Sequence, residues 1–408
     1  MPVRPRLSHV SVLLATVLVL GSAPAFADHD DDDEPAPPPP SEEPAVTYDD
    51  IADQPWAKAA IWYTAVQRDW LRFDGPLFRP DRPLERWQLA RAAVRAFAPA
   101  TPLDPEITFS DLLPEAPAFD WANKAVSLGW IPKADTFDPT GTVNKRLLMR
   151  VLVLGLGLSE PAKSLNHLAT EDGYAFDLPP SFAFLVLGNE LHLNPNFESP
   201  NDRRDLLPSE TVTRGYAAVA FKRAAQVGWE VWEAQRFIGI TLPKMSPKRR
   251  SIVEFALQYV GYPYIYAAEW YRATGSQPKG GFDCSGFQWW VAHDASAGFD
   301  NTHVRPYRGW NVNQRRASLI AREAARDRRV WRANNLIPGD LVFFDAGTMP
   351  ENWHGIDHGG MALGGGWFIH SSGSRAGVTI GYLGDGSWWS DSFVMGRRMF
   401  GALPGASA

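Results

Sequence analysis

Apolar positions fall into three patterns along this chain. Near the start, residues 10–20 form one continuous apolar run. Further on, residues 89–97, 147–156 and 216–225 carry apolar positions at helical spacing, and each run is opened by a base: Arg86, Lys145 and Arg214. Ile252, Phe255, Ala256 and Tyr259 fall on one helical face. Ser246 stands there as cap, Pro247 at the first helical position and Gly261 as the stop. The third pattern is strand-like. Residues 341–344 read as a short buried strand, and residues 358–363 and 367–370 flank Gly364-Gly365-Gly366 as a hairpin.

The three helical runs belong to a degenerate repeat. A proline stands six residues before each base, as Pro80 to Arg86, Pro139 to Lys145 and Pro208 to Arg214. Two openings also match: Tyr48-Asp49-Asp50-Ile51 with Trp56-Ala57, then Phe109-Ser110-Asp111-Leu112 with Trp121-Ala122. Self-similarity at this period implies stacked helical units that share a core. The expected organisation is therefore an all-α repeat domain over 47–226, a connector over 227–245 and an α+β domain over 246–408.

Composition adds an address. Arg4 and Arg6, the apolar run and Ala25-Phe26-Ala27 read as an export signal ending at residue 27. Residues 28–46 are acidic and then proline-rich, an extended linker with little to bury. No later run approaches the ~18 apolar residues of a membrane span. A formal net charge of −6 gives no reason to expect nucleic acid. The expected location is outside the cell. Export makes a lone cysteine informative, since Cys284 has no second cysteine to pair with.

The segment Gly281-Phe282-Asp283-Cys284-Ser285-Gly286-Phe287 runs into apolar residues as far as Ala292. A glycine approach, a capping aspartate and an apolar continuation put Cys284 in the first turn of a helix. The N–H groups and dipole of that turn favour thiolate, so a lowered pKa is expected. A cysteine nucleophile needs a base and a group to orient it. Among nine histidines, His358 and His370 flank the hairpin. A three-residue glycine turn would put them directly opposite each other on one face, whereas a two-residue turn would separate them. His293 and His303 read as loop residues. The arginine-rich stretch from Arg315 to Arg332 reads as a solvated helix face. No cysteine and histidine spacing suits zinc, so neither metal nor cofactor is expected.

Four motifs in order resemble the NlpC-type papain-like peptidases of bacterial walls. They are Gly261-Tyr262-Pro263-Tyr264, Phe282-Asp283-Cys284-Ser285-Gly286-Phe287, Pro338-Gly339-Asp340-Leu341-Val342-Phe343-Phe344 and the histidine hairpin. The resemblance implies a papain-like domain, with a cysteine-bearing helix on an antiparallel sheet. It implies Cys284 as nucleophile, His358 as base and His370 as orienting residue, with Tyr264, Asp283 and Ser285 lining the substrate groove. It further implies cleavage of peptidoglycan stem peptides, often between D-glutamate and the following diamino acid. Amidase or acyltransferase chemistry on the same residues stays open, as does an inert wall-binding structural protein. The repeats resemble S-layer homology modules, whose Thr-Arg-Ala-Glu signature survives only as Thr213-Arg214-Gly215. By that resemblance Arg86, Lys145 and Arg214 would hold an anionic wall polymer.

Overall fold

The computed structural model describes residues 48–198, 201–270, 272, 279–292, 312–384 and 386–400. The expected export signal and linker, with His293 and His303, lie outside them. The described residues belong to one compact unit.

Before residue 246 the regular elements are helices: α1 Pro55–Ile61, α2 Arg86–Phe97, α3 Phe119–Ser127, α4 Lys145–Gly155, α5 Ser159–Asn166, α6 Phe182–Glu190, α7 Arg214–Ala224 and α8 Trp229–Ala234. Each repeat base sits at the first position of its helix. The residue before it is the cap: Glu85 in a capping box with Gln88, Asn144 accepting from Leu147 N, Thr213 accepting from Tyr216 N. The segments leading into these caps pair with one another in a ring. Leu84 N donates to Val212 O at 2.9 Å, Val212 N to Val143 O at 2.8 Å, and Val143 N to Leu84 O at 2.9 Å. All three side chains are buried. Helix packing follows the same cycle, since α3 lies on α2, α6 on α4 and α1 on α7.

The remaining elements are α9 Pro247–Leu257, β1 Glu269–Trp270, β2 Gly281–Phe282, α10 Cys284–Ala292, α11 Ala317–Arg322, β3 Arg329–Val330, β4 Leu341–Phe344, β5 His358–Gly364, β6 Trp367–Ser372, β7 Gly377–Tyr382, α12 Trp388–Asp391 and β8 Phe393–Arg397. Six strands form one antiparallel sheet in the order β3-β8-β4-β5-β6-β7. Sheet and helices together make an α+β domain. Gln288 pins α10 to the sheet by donating to Val342 O at 3.1 Å and Gly360 O at 2.9 Å. Gly286 lets that helix approach β1, because a Cβ there would stand 2.0 Å from Ala268 O. The buried Asp340 carboxylate takes Arg398 Nε at 2.9 Å and lies 3.6 Å from Arg249, tying α9 and the end of β8 to the start of β4.

Sequence patterning separates the helical repeats from the sheet domain, but in the structure they share an interface. Helix α6 is buried along almost its whole length because neighbours pack on every side, among them α4, α5 and β7. Asn189 Nδ2 donates to Val378 O at 3.2 Å, Tyr174 OH to Glu254 at 3.0 Å, and Lys145 Nζ to Gly261 O at 3.0 Å.

Candidate active site

Cys284 opens α10, and Asp283 before it provides the cap by accepting Gly286 N at 2.6 Å. Cys284 is half-buried at a helix start whose following residues are buried. Cys284 Sγ lies 3.7 Å from Asp357 O, at the head of β5 where His358 begins the strand. His358 Nε2 and His370 Nδ1 are 2.7 Å apart. Three of the expected residues are thus gathered at one place: Cys284 by its contact with the residue before His358, and the histidines by direct contact.

The hairpin register differs from the expected one. His370 pairs across the strands with Gly360, not with His358. The chain turns tightly at Gly365-Gly366, where φ is +61° and +83°, and a bulge lies between Ala362 and Gly364. The histidines are therefore diagonal neighbours on one face, a separation that long side chains bridge.

Burial sets the protonation states, and it reverses the expectation for the thiol. Desolvation, then the nearby Asp283 charge, pushes Cys284 up to about 12. N–H groups of Gly359 and Ser285, with the Arg315 charge, pull the other way without winning. Desolvation also holds His358 down to about 4 against the pull of Asp357. His370 is held well below the usual imidazole range by burial, then by the charges of His358 and Arg375. Both shifts favour the uncharged forms, a thiol at Cys284 and an imidazole at His358. Trp389 supplies part of the burial, lying against His358 with ring centroids 5.0 Å apart and meeting His370 nearly edge-on at 4.7 Å.

If His358 donates through Nε2–H to His370 Nδ1, His358 Nδ1 keeps its lone pair and can accept a proton. In that tautomer the His370 proton sits on Nε2, which is buried and without a partner among the described residues. Two imidazoles thus share one good hydrogen bond, which strengthens once His358 becomes positively charged.

The residues expected to line the groove have different fates. Tyr264 is half-buried near Cys284, and desolvation, then repulsion from the thiolate form of that cysteine, raises the phenol. Asp283 and Ser285 are buried and held by Arg315. Its Nη1 donates to Asp283 Oδ1 at 3.0 Å and to Ser285 Oγ at 2.8 Å, and its Nη2 to Asp283 Oδ2 at 3.0 Å. Their polar atoms serve the helix cap and this guanidinium, so they shape the wall from behind instead of facing a ligand. Arg315 also pairs with Glu269. It braces the residues on either side of Cys284, whereas sequence reading assigned it to a solvated face. The available signal was an aspartate beside the nucleophile, which needs a countercharge.

The three repeat bases also separate. Arg86 is half-buried over the Phe137 ring, with its guanidinium 5.4 Å from the ring centroid. Lys145 is buried, donating to Leu206 O and Gly261 O at 3.0 Å each, so it does not reach a polymer-facing surface. Arg214 is buried too, over Phe73 and donating to Phe78 O at 3.1 Å. Among the described residues no group of three or more His, Cys, Asp and Glu side chains is placed to hold a metal. No helix there is long and apolar enough to cross a membrane.

Comparison with known proteins bears on the C-terminal part. The NlpC/P60 family model matches residues 268–398, which include Cys284, His358 and His370. The Gamma-DL-glutamyl hydrolase of Bacillus subtilis is 32% identical over 152 residues, 37% of this chain and 29% of that protein. Probable endopeptidase YafL of Escherichia coli is 29% identical over 159 residues, 38% of this chain and 53% of that protein. The alignments therefore span less than two thirds of either relative. A solved NlpC/P60 family protein from Bacillus cereus is 21% identical with a TM-score of 0.27, covering 39% of this chain and 42% of that one. The C-terminal part of this chain is an NlpC/P60 domain.

Proposed function

We propose that the protein is an exported cell-wall hydrolase that cuts peptidoglycan stem peptides by cysteine catalysis. The observation that carries this is the Cys284 thiol against the head of β5, with His358 and His370 in contact at 2.7 Å, all inside the matched residues. The names of the two curated relatives support a hydrolytic reaction on a peptide or γ-glutamyl bond. Cleavage after D-glutamate is the specific bond assigned here.

In this mechanism His358 Nδ1 takes the Cys284 proton as Sγ attacks the carbonyl carbon. First-turn N–H groups of α10 offer donors to the oxyanion. The imidazolium, steadied by His370, protonates the leaving amine, and a thioester remains. Water then attacks the thioester with His358 as base, releasing the carboxylic acid and restoring the thiol. The test is mass spectrometry of purified peptidoglycan digested by the full chain. Cys284→Ser should abolish new fragments while leaving the unfolding transition within a few degrees. His358→Ala should cost several orders of magnitude and His370→Asn much less. Full activity in the serine variant would overturn the assignment.

The helical units are proposed to dock the enzyme on the wall in the manner of S-layer homology modules. The burial of Lys145 moves the polymer-facing surface to a cavity of about 230 Å³ lined by Arg72, Arg79, Arg82, Arg91 and Arg214, with Asp74 as its one acidic residue. Such a cation-rich hollow suits an anionic polymer, and its binding should weaken with salt. Pelleting with purified walls, before and after the attached polymers are stripped, tests this with Arg79→Ala and Arg82→Ala. Binding indifferent to both would leave the repeats as a spacer.

A further inference from the structure

Residues from both parts of the chain line a cavity of about 560 Å³, a size typical of small-ligand sites. Glu190, His192, Trp229, Glu233 and Arg236 come from the helical part, outside the residues that the family model matches. Arg375, Tyr382, Ser387 and Trp388 are among those from the sheet domain. The wall is braced across this seam. Arg375 Nη1 donates to Glu190 O and, at 2.8 Å, to His192 Nε2, while His192 Nδ1 donates to Ser374 O at 2.8 Å. His192 is neutral in that arrangement, since its Nε2 must keep a lone pair. The remaining charges are paired. The Arg375 guanidinium lies 3.9 Å from the Glu190 carboxylate, and Arg236 pairs with Glu233. Two carboxylates and two guanidiniums leave the lining without net charge. Aromatic rings complete it, those of Trp229, Tyr382, Trp388 and Trp389. Tryptophan is highly buried on average, yet Trp229 is 62% exposed and Trp388 55% exposed. Trp232, one turn along α8 from Trp229, is 77% exposed.

Apolar rings set among hydrogen-bonding groups, with the charges cancelled, select a ligand of matching pattern. An anion finds no guanidinium in this lining without a carboxylate beside it, and a cation finds no carboxylate without a guanidinium. A lipid or an apolar side chain would cover serines, carboxylates and guanidiniums with groups that cannot hydrogen-bond to them. A pyranose with equatorial substituents suits both halves of the lining. Its axial C–H groups form an apolar face for an indole, and its hydroxyls are neutral donors and acceptors for the charged and serine side chains. We infer that this cavity is a carbohydrate site that holds a short run of neutral, equatorially linked pyranoses, with Trp229 and Trp388 as its stacking faces. Trp232 extends the α8 side of the site for a longer chain. The glycan strand of the wall is the source of such a ligand, and that identification rests on the peptidoglycan reading given above. Holding glycan here needs no access to Cys284. It keeps the enzyme on a strand that carries many stem peptides, and it requires both parts of the chain.

The test is calorimetry of the full chain with chitotetraose, a neutral β-1,4-linked tetramer of N-acetylglucosamine that carries no stem peptide. Wild type should bind it, and Trp229→Ala and Trp388→Ala should each weaken binding at least tenfold. Both side chains are largely exposed, so neither change should move the unfolding transition. Trp331→Ala, at an exposed tryptophan that does not line the cavity, should leave binding as it was. Raising sodium chloride from about 50 to about 500 mM should alter Kd less than twofold, because the ligand is uncharged. No heat from wild type at about 10 mM tetramer would overturn the inference, since a Kd of about 1 mM would register there. Binding that survives both cavity substitutions, falls equally with Trp331→Ala, or weakens tenfold with salt would overturn it too. Peptide-stripped glycan strands serve as the second ligand. Binding with the same tryptophan dependence upholds the wall as source, and failure to bind them overturns that source. Sugar binding by a protein that releases no stem-peptide fragments would count against the hydrolase reading and leave the carbohydrate site standing.

Discussion

The neutral state of Cys284 can be read directly from its reactivity, because the chain has one cysteine. Burial and Asp283 raise the thiol from 9.0 to about 12. Three pH units correspond to about 4 kcal/mol against ionisation, and to roughly a thousandfold less thiolate at pH 7.5. A thiolate of higher pKa is also intrinsically more nucleophilic, with a Brønsted slope of about 0.4–0.5. That returns roughly 15- to 30-fold over three units, leaving a net depression of roughly 30- to 60-fold.

The perturbation is therefore a pH series, and the assay is mixed-disulfide formation with hydroxyethyl disulfide. Intact mass gives the rate, and a small unperturbed thiol serves as reference. The log rate should climb with unit slope from pH 6 to 9.5 without a plateau, staying one to two orders below the reference near neutrality. An ion-paired Cys–His site behaves differently, because its thiolate is already formed and its rate levels off. A plateau with a midpoint below pH 8 would refute the neutral pair. Slow labelling together with full turnover would mean that substrate attack and proton transfer to His358 occur together.

Three further outcomes follow from the same geometry. His358 is held near 4 and His370 well below its ordinary range, so the unfolded chain binds more protons between about pH 6.5 and 4. Stability present above 6.5 should fall through that window, by about 3 kcal/mol for His358 alone; a urea midpoint equal at pH 7 and 4.5 would contradict this. Arg315→Met should leave the Asp283 charge uncompensated beside the thiol. Turnover should drop at least tenfold and stability by roughly 2 kcal/mol, less than for a fully buried pair because the guanidinium is 30% exposed. Asp283→Asn in the same chain should restore part of the turnover, and no recovery would argue against an electrostatic role. Lys145→Ala should strand two buried carbonyls and open a cavity, costing about 3–5 kcal/mol in a denaturant titration. Unchanged stability would mean that water replaces the ammonium.

The part of the site that was legible is the part built from local rules. Asp283 caps, Gly286 allows close approach and the apolar run that follows makes a helix, so the position of Cys284 could be read from a few adjacent residues. The hairpin was equally local, since three glycines can turn where other residues cannot. Its register was not, because a single bulge slides the partners while keeping the face. The thiol's protonation was misjudged for a similar reason. A helix start is visible in sequence, but the desolvation that outweighs it comes from how distant segments pack around the thiol. Arg315 was hidden in the same way, since 32 residues separate it from Asp283.

The repeat bases show what periodicity does and does not specify. Equal spacing placed Arg86, Lys145 and Arg214 at one backbone position, the first residue after a cap. There each N–H closes a bond to a neighbouring unit, to Gly141 O, Glu210 O and Arg82 O respectively. That role needs only a backbone, so the pattern survives whatever the side chain does. The side chains then diverge with their surroundings. Arg86 remains half-buried on a ring, whereas Lys145 lies where the second unit meets the turn after α9 of the sheet domain, and its ammonium joins Leu206 O to Gly261 O. A ring of three can present like positions to solvent only if nothing docks on it. Here the sheet domain docks on α6, and that contact breaks the equivalence of the three units. The same contact brings Glu190 and α8 to the wall of a cavity that His358 also lines, so the packing that removes Lys145 from the surface is the packing that sets helical and sheet residues around one hollow.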